Sequence, residues 1–396
     1  MPRSDSKLSI YIHIPFCTVR CGYCAFNTYT DLEHLIPDYV DALCSELAFV
    51  AIDVRDQPVH TIYFGGGTPS LLSPRHFEQI LCQVNGLFPV DHDAELSLEA
   101  NPDDLSEAYL RDLQRLGFNR LSIGMQSANA AILQMFDRQH DLASVGAAVS
   151  CARRATFDNI NLDVIFGSPG ETLTDWKETV QALLGFSPDH ISTYGLELKG
   201  GTQLRKQVDA GELPRPDDDV FADMYDFASA ALATAGYDQY EISNWRRPGK
   251  ECRHNLQYWR NLEYIGVGAG AHGFFGGCRY STIASPARYV AALKNGVSGG
   301  KHTAPTPAVA KSVEVSVADD MYETIMMGLR LTQEGINRAN FRRRFGCDFV
   351  DAFRDATEKL TAAGLLIATE KNVVLSESGR LLSNLVIREF VEQIKL

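Results

Sequence analysis

Leu8-Ser-Ile-Tyr-Ile-His-Ile-Pro-Phe-Cys-Thr-Val-Arg-Cys-Gly-Tyr-Cys24 reads as a strand, Leu8–Ile14, that runs into a loop carrying three cysteines. The segments after that loop decide the fold. An amphipathic stretch from Pro37 to about Val54 predicts a helix, Val59–Phe64 a second strand and Pro74–Leu87 the helix behind it. The alternation continues through strand Glu95–Glu99 and a helix from Ser106 to Leu116 that stops at Gly117. Strand Arg120–Gly124, helical segments to about Ala155 and strand Asn161–Phe166 come next. A helix opening near Thr174–Asp175, strand His190–Leu196 and helix Val220–Ala235 complete the series. Repeated βα units of this length predict a parallel sheet, either doubly wound or curled into a barrel.

Beyond Gly236 the alternation fades. Tyr237–Gly277 is rich in glycine and aromatics with no clean period, and Gly296–Pro307 has the composition of a linker. Met321–Leu331, Ala339–Phe345 and Val350–Ala363 predict helices, Ile367–Leu375 a two-stranded wing, and Gly379–Ile394 a last helix. The expected division is an α/β region at 1–235, an irregular extension at 236–300 and a smaller winged-helix-like α+β domain at 301–396.

With 396 residues, 45% hydrophobic and 22% charged, the composition is that of an ordinary globular protein. No apolar run reaches the ~18 residues a transmembrane helix needs, and polar Met1–Lys7 is no signal peptide, so the expected location is the cytoplasm. Fifty acidic against 37 basic side chains give a net charge of −13. Such a chain repels phosphate backbones, which argues against nucleic acid as a partner. The cluster Arg342–Arg343–Arg344 reads as solvated surface charge. In a reducing compartment nine cysteines make no disulfide framework. Six are scattered, and Cys44, Cys82, Cys151, Cys252, Cys278 and Cys347 are expected mostly as small buried hydrophobes.

The other three, Cys17, Cys21 and Cys24, need a chemical reason. A closed zinc site wants four ligands, and so does a ferredoxin-type cluster. Three thiolates with no nearby fourth suit a [4Fe–4S] cubane whose last iron is left for an outside ligand, such as the amino and carboxylate groups of a methionine. Gly65-Gly-Gly-Thr-Pro69 follows the second strand, where a glycine-rich backbone can approach a small ligand. Cys17, Gly66, Glu99, Gln126, Asp163 and Gly195 all fall at or near carboxyl ends of successive strands, the face on which parallel sheets and barrels gather ligands.

The C-x-x-x-C-x-aromatic-C pattern, with Tyr23 in the aromatic place, resembles the radical S-adenosylmethionine superfamily. Within it the chain is similar over nearly its whole length to the coproporphyrinogen dehydrogenase-like group. The likeness rests on Tyr11-Ile-His13-Ile-Pro15-Phe-Cys17, Gly65–Ser70, Glu99-Ala-Asn101-Pro102, Ile123-Gly-Met-Gln126-Ser127 and Asn161-Leu-Asp163-Val-Ile-Phe-Gly167. It implies a partial parallel (β/α)6 barrel. It further implies that Tyr11, Tyr23, Gly66, Gly67, Thr68, Glu99, Gln126, Arg138 and Asp163 line a site for S-adenosylmethionine beside the cluster. Carboxylates there can accept from amino or ribose hydroxyl groups, and Arg138 can grip a carboxylate bidentately. Ser168 departs from the group's usual leucine, a matter of packing.

Two features separate the chain from the group's oxygen-independent dehydrogenase, which decarboxylates a porphyrinogen propionate with a 5′-deoxyadenosyl radical. That enzyme has a further cysteine where this chain has Phe26, and a longer segment before the first strand. The chain instead resembles the group's haem chaperones, as does His254-Asn-Leu-Gln-Tyr258-Trp259. Physically, His254 offers an imidazole to haem iron. Tyr258 and Trp259 offer flat apolar surface, and Arg246, Arg247, Lys250 and Arg253 suit two propionates. Cys252 and His272 are competing axial ligands. The resemblance implies haem as carried ligand, haem-accepting proteins such as membrane-bound respiratory enzymes as partners, and a homodimer. Where S-adenosylmethionine is cleaved it implies an electron donor such as flavodoxin. A haem-degrading radical methyltransferase is the third reading.

Overall fold

The computed structural model describes residues 7–54, 56–294 and 306–394, so most of the expected linker Gly296–Pro307 lies outside the described residues. The chain forms two compact units. The first holds residues 1–231 and 263–313, the second 232–262 and 314–396. The stretch 236–300, expected as one extension, is therefore shared between them.

In the first unit the βα series is β1 (Leu8–Ile14), α1 (Ile36–Val54), β2 (Val59–Gly66), α2 (Pro74–Leu87), β3 (Val90–Ala100), α3 (Glu107–Arg115) and β4 (Arg120–Gln126). It continues with α4 (Ala130–Met135), α5 (Leu142–Arg154), β5 (Ile160–Phe166), α6 (Leu173–Gly185), β6 (His190–Gly195), α7 (Gln203–Asp209) and α8 (Asp218–Thr234). Local chemistry sets the ends. Ser106 caps α3 by accepting from the Tyr109 amide at 3.2 Å, and Gly117 stops it at φ +98°. Thr172 and Asp175 form a capping box at the start of α6.

Strands β1 to β6 lie side by side in chain order, every adjacent pair parallel. A doubly wound sheet would reverse its order part-way. This one never does, so right-handed crossovers put all the helices on one face and the other face becomes an interior. That is the partial (β/α)6 barrel. A strand missed by periodicity, Ile265–Val267, pairs parallel with β1 on its outer edge. Three residues are too few to carry a period.

The residues just beyond that edge strand tie it to the barrel. Buried Glu46 of α1 accepts from the Gly268 amide (2.8 Å), Tyr289 Oη (2.6 Å) and Thr306 Oγ1 (2.8 Å). Asn27, in the cysteine loop, donates to the carbonyls of Ala269 (3.0 Å) and Ala284 (2.9 Å). The segment expected to be irregular thus braces the cysteine loop.

The second unit contains a hairpin, Asp238–Glu241 with Asn244–Arg246, and the helix Arg253–Trp259. Its core is an aromatic cluster of Phe341, Phe349, Phe353 and Phe390 packed with Ile325, Leu329 and Val386. The wing has three strands, not two. Ile336–Asn337 adds to Leu366–Ala368 and Asn372–Leu375. The expected helix Val350–Ala363 breaks at Phe353, and Gly379–Ile394 breaks at Leu382. In the arginine cluster Arg342 and Arg343 are exposed, as expected, while Arg344 is the correction. Arg344 is buried against Asp320, while Arg342 and Arg338 grip Asp348 at 2.6 and 2.7 Å. Those bonds pull the Asp348 carboxyl down to about 2. These arginines staple their own unit together.

Candidate functional site

The carboxyl ends of the strands in the first unit surround a cavity of about 470 Å³. Cys17, Cys21, Tyr23 and Cys24 line one side of it, and Gly66, Gly67, Thr68, Glu99, Gln126, Arg138 and Asp163 line the rest. Eleven of the twelve barrel residues expected at the site therefore meet in one place. Tyr11 does not line the cavity. Its hydroxyl donates to His13 Nδ1 at 3.0 Å, and its ring stacks on Tyr63.

The cysteine loop is pinned at its base, where the Cys17 amide donates to the Tyr29 carbonyl at 3.0 Å and the Tyr29 amide to that of Pro15 at 2.7 Å. Thr68 Oγ1 donates to Cys17 Sγ at 3.4 Å. Burial pushes the Cys17 thiol up to about 11 and raises Cys21 as well, while the Arg138 guanidinium works the other way at both. At neutral pH these are thiols until a metal takes their protons. Among the described residues no three His, Cys, Asp or Glu side chains are gathered tightly enough to grip one ion. A cubane asks instead for one thiolate on each of three irons, and this donor set of three thiols around a desolvated cavity fits it. The scattered cysteines are less buried than expected. Only Cys252 is buried, and Cys82 is exposed.

Gly66 and Gly67 line the cavity, and the triple glycine has a further, structural reason beside the expected one. A Cβ at Gly66, which sits at φ +116°, would stand 2.4 Å from the His13 ring, and one at Gly67 would be 2.6 Å from the Phe16 carbonyl. The glycines let the end of β2 lie flat on the end of β1. Gly66→Ala is expected to lower stability by about 2–3 kcal/mol through the clash and the positive φ together, a loss thermal unfolding would read directly. The His13 ring beneath is neutral. Burial lowers its pKa, and Nε2 donates to the Asn27 carbonyl at 2.9 Å, which leaves Nδ1 to accept from Tyr11.

Glu99 is held by two donors, the Gly66 amide on Oε2 at 3.0 Å and Tyr63 Oη on Oε1 at 2.8 Å. Burial still pushes it up to about 7. Arg138 reaches back over the loop, donating to Asn101 Oδ1 (2.7 Å) and Tyr23 Oη (2.9 Å). Its buried Nε has no hydrogen-bond partner, so the guanidinium has capacity left for an anionic group. Gln126 closes β4 at φ +63°, and Asp163 accepts from Ser122 Oγ at 2.8 Å. Tyr63 and Ser122 are lining residues that no motif marked, and Asn101 of the Glu99–Pro102 motif lines the cavity too. Tyr63 and Ser122 sit on strand interiors with no turn or cap signal. At the mouth stands Phe26, 67% exposed.

His254 belongs to the second unit. It is buried, and its Nε2 is 2.8 Å from Tyr258 Oη with the two rings edge to face. Arg246 faces Asp238 and Glu251 at 3.5 and 3.2 Å, and Arg247 lies over the Tyr237 ring.

This fold and motif define a class. Residues 11–183 match the Radical SAM superfamily and residues 315–382 the HemN C-terminal domain. Among solved structures, coproporphyrinogen III oxidase (HemN) from Escherichia coli superposes with a TM-score of 0.81 at 23% identity, covering 98% of this chain and 90% of that one. Full-length likeness is more specific. Heme chaperone HemW of Mycobacterium tuberculosis is 39% identical over 98% of this chain and 95% of that protein. Heme chaperone HemW of Bacillus subtilis is 33% identical over 98% and 100%. The chain belongs to the HemW family of radical SAM proteins. Among the described residues no helix is long and apolar enough to cross a membrane.

Proposed function

We propose that this protein is a haem chaperone that binds haem and passes it to haem-requiring proteins, with a [4Fe–4S] cluster and S-adenosylmethionine held in its barrel. One observation carries the cofactor half: three thiols and the polar ends of five strands converge on a single cavity. Cys17, Cys21 and Cys24 ligate three irons. Bound there, the cluster supplies an open iron that can take an amino-acid chelate and an electron that can be passed to a sulfonium. Arg138 orients the ligand's carboxylate, Glu99 accepts from its amino group, and Asp163 accepts from ribose hydroxyls. Thr68 steadies Cys17, and Tyr23 holds Arg138 in place.

The haem half is supported by the names of the full-length relatives and by Phe26, which leaves the cavity without a fourth thiol on the loop. The haem ligand we assign is His254. To reach iron it must exchange its bond to Tyr258, which stands ready as a hydrogen-bond partner on release. Partners on this reading are haem-accepting proteins, membrane-bound respiratory enzymes among them. The setting is the cytoplasm.

Haem titration of the cluster-loaded protein tests this, followed by transfer to an apo-haemoprotein. The expected result is a Soret shift that saturates near one haem per chain and weakens at least tenfold in His254→Ala, with haem then appearing in the acceptor. No Soret shift, or a His254→Ala variant that behaves as wild type, removes the assignment. Formation of protoporphyrinogen from coproporphyrinogen III with reductant and S-adenosylmethionine favours the dehydrogenase instead.

A further inference from the structure

Beneath the cavity, the barrel interior is polar where a hydrophobic layer would be ordinary. In register across three strands stand Ser122, Asn161 and His190, each directly beside the next, with Glu99 paired to Ser122 on the far side. Ser122, Asn161 and His190 are all buried, His190 completely. They form one hydrogen-bonded chain. His190 Nδ1 is 2.7 Å from Asn161 Oδ1, which also accepts from Ser192 Oγ at 3.1 Å. Asn161 Nδ2 donates to Ser122 Oγ at 2.7 Å and to Asp163 Oδ1 at 2.9 Å. Ser122 Oγ donates onward to Asp163 Oδ2 at 2.8 Å.

Donor counting fixes the direction of this chain. An asparagine amide has two donors and two acceptor sites, and Asn161 uses all four. Turned over, it would set its carbonyl against the Asp163 carboxylate and leave that oxygen without a proton between them. With the amide in its observed sense, His190 must donate from Nδ1. Asp163 then takes Asn161 Nδ2 on Oδ1 and Ser122 Oγ on Oδ2, with the Ser192 hydroxyl also beside it, and the carboxylate lines the cavity. A carboxylate so held presents two acceptors at a fixed spacing, the geometry that recognises a vicinal diol.

We infer that His190 is a positioning residue for the nucleoside end of the bound cofactor, acting through Asn161 to hold Asp163 ready for the ribose hydroxyls. The inference rests on the cofactor reading above. It adds a residue more than one layer below the cavity, on the first position of β6, which touches no ligand itself.

The test is binding to the anaerobic, cluster-loaded protein of three ligands: S-adenosylmethionine, its 2′,3′-dideoxy analogue and methionine. His190→Phe keeps a ring and removes the donor. It is expected to weaken S-adenosylmethionine about tenfold, the size of one buried hydrogen bond to a charged group, while methionine and the dideoxy analogue stay within about twofold of wild type. His190→Asn, whose amide nitrogen can take the place of Nδ1, restores most of the loss. Ser122→Ala, a smaller change in the same chain, shows the same selective loss and serves if His190→Phe does not fold. Equal weakening of all three ligands by both variants means a structural role and overturns the inference, as does unchanged binding of S-adenosylmethionine. Wild-type protein that holds the cluster but binds no S-adenosylmethionine overturns the cofactor reading, and the inference falls with it.

Discussion

Cys21→Ser should lose the cluster and keep the fold. The broad charge-transfer absorbance of the reconstituted protein should fall to near baseline, while the melting temperature of the cluster-free chain stays within a degree or two of wild type. The two halves have separate physical causes. Cys21 is only half-buried, so the change to serine removes little packing, and the loop remains anchored by the Cys17–Tyr29 and Tyr29–Pro15 backbone bonds. The ligand loss is nearly complete because a serine hydroxyl is far harder to deprotonate than a thiol, and burial already holds the Cys21 thiol high. A metal can overcome that burial for sulfur. It has much less to offer an alcohol. Loading should release protons from these thiols, so reconstitution should proceed faster at pH 8.5 than at pH 7. A Cys21→Ser variant that still carries four irons per chain would sink the ligand assignment.

How much of this could be read from sequence differs between the two units. Strands β1 to β6 were legible because most are short, β-branched-rich runs that are largely buried, and because helical patterns follow at regular intervals. Ile160–Phe166 shows this, with Asn161 and Asp163 as the two polar positions in an otherwise apolar run. What the alternation alone left open was whether the sheet is doubly wound or curled into a barrel, and strand order decides that. The edge strand Ile265–Val267 and the wing strand Ile336–Asn337 were illegible because two or three residues carry no periodicity. Their place comes from long-range pairing. Arg344 looked like surface charge for a similar reason: its partner Asp320 is 24 residues away.

At the site, residues on loops and strand ends were found because a motif or a turn marked them. Tyr63 and Ser122 were missed because they sit inside strands and act through other side chains, Tyr63 on Glu99 and Ser122 on Asp163. The glycines were found for an incomplete reason. Composition indicated close approach to a ligand, and Gly66 and Gly67 do line the cavity, but their lack of a Cβ is also required by His13 and the Phe16 carbonyl packed against them. His254 was legible as a residue and not as an environment, since its contact with Tyr258 depends on the helical spacing of the two and on burial.

The second large effect is expected at Glu99, where binding and stability should move in opposite directions. Its carboxyl is lifted from 4.5 to about 7 chiefly by burial, against the bonds from Tyr63 and Gly66. In the ligand-free protein the folded state therefore holds a proton that the unfolded chain gives up. Stability is greatest below pH 4.5 as far as this group is concerned, and declines as pH rises towards 7. Over the lift from 4.5 to about 7, at about 1.4 kcal/mol per unit, the burden above pH 7 is on the order of 3–4 kcal/mol. Glu99→Gln removes the charge and should leave the empty protein at pH 8 more stable by about 1 kcal/mol, after losing some hydrogen-bond quality at Tyr63 or Gly66. Binding runs the other way. An amino group donating towards Glu99 needs an acceptor, which the ionised carboxylate is and the protonated one is only in part. Affinity for S-adenosylmethionine should rise from pH 6 to about 7.5 in the wild type and then level off. In Glu99→Gln it should be lower by ten- to a hundredfold at pH 8, with the rise flattened. Paired measurements of melting temperature and affinity on the same preparations across that range decide it. A variant that loses stability and affinity together would show that Glu99 is a packing residue, and a wild-type profile already flat from pH 6 would show that its proton has no part in holding the ligand.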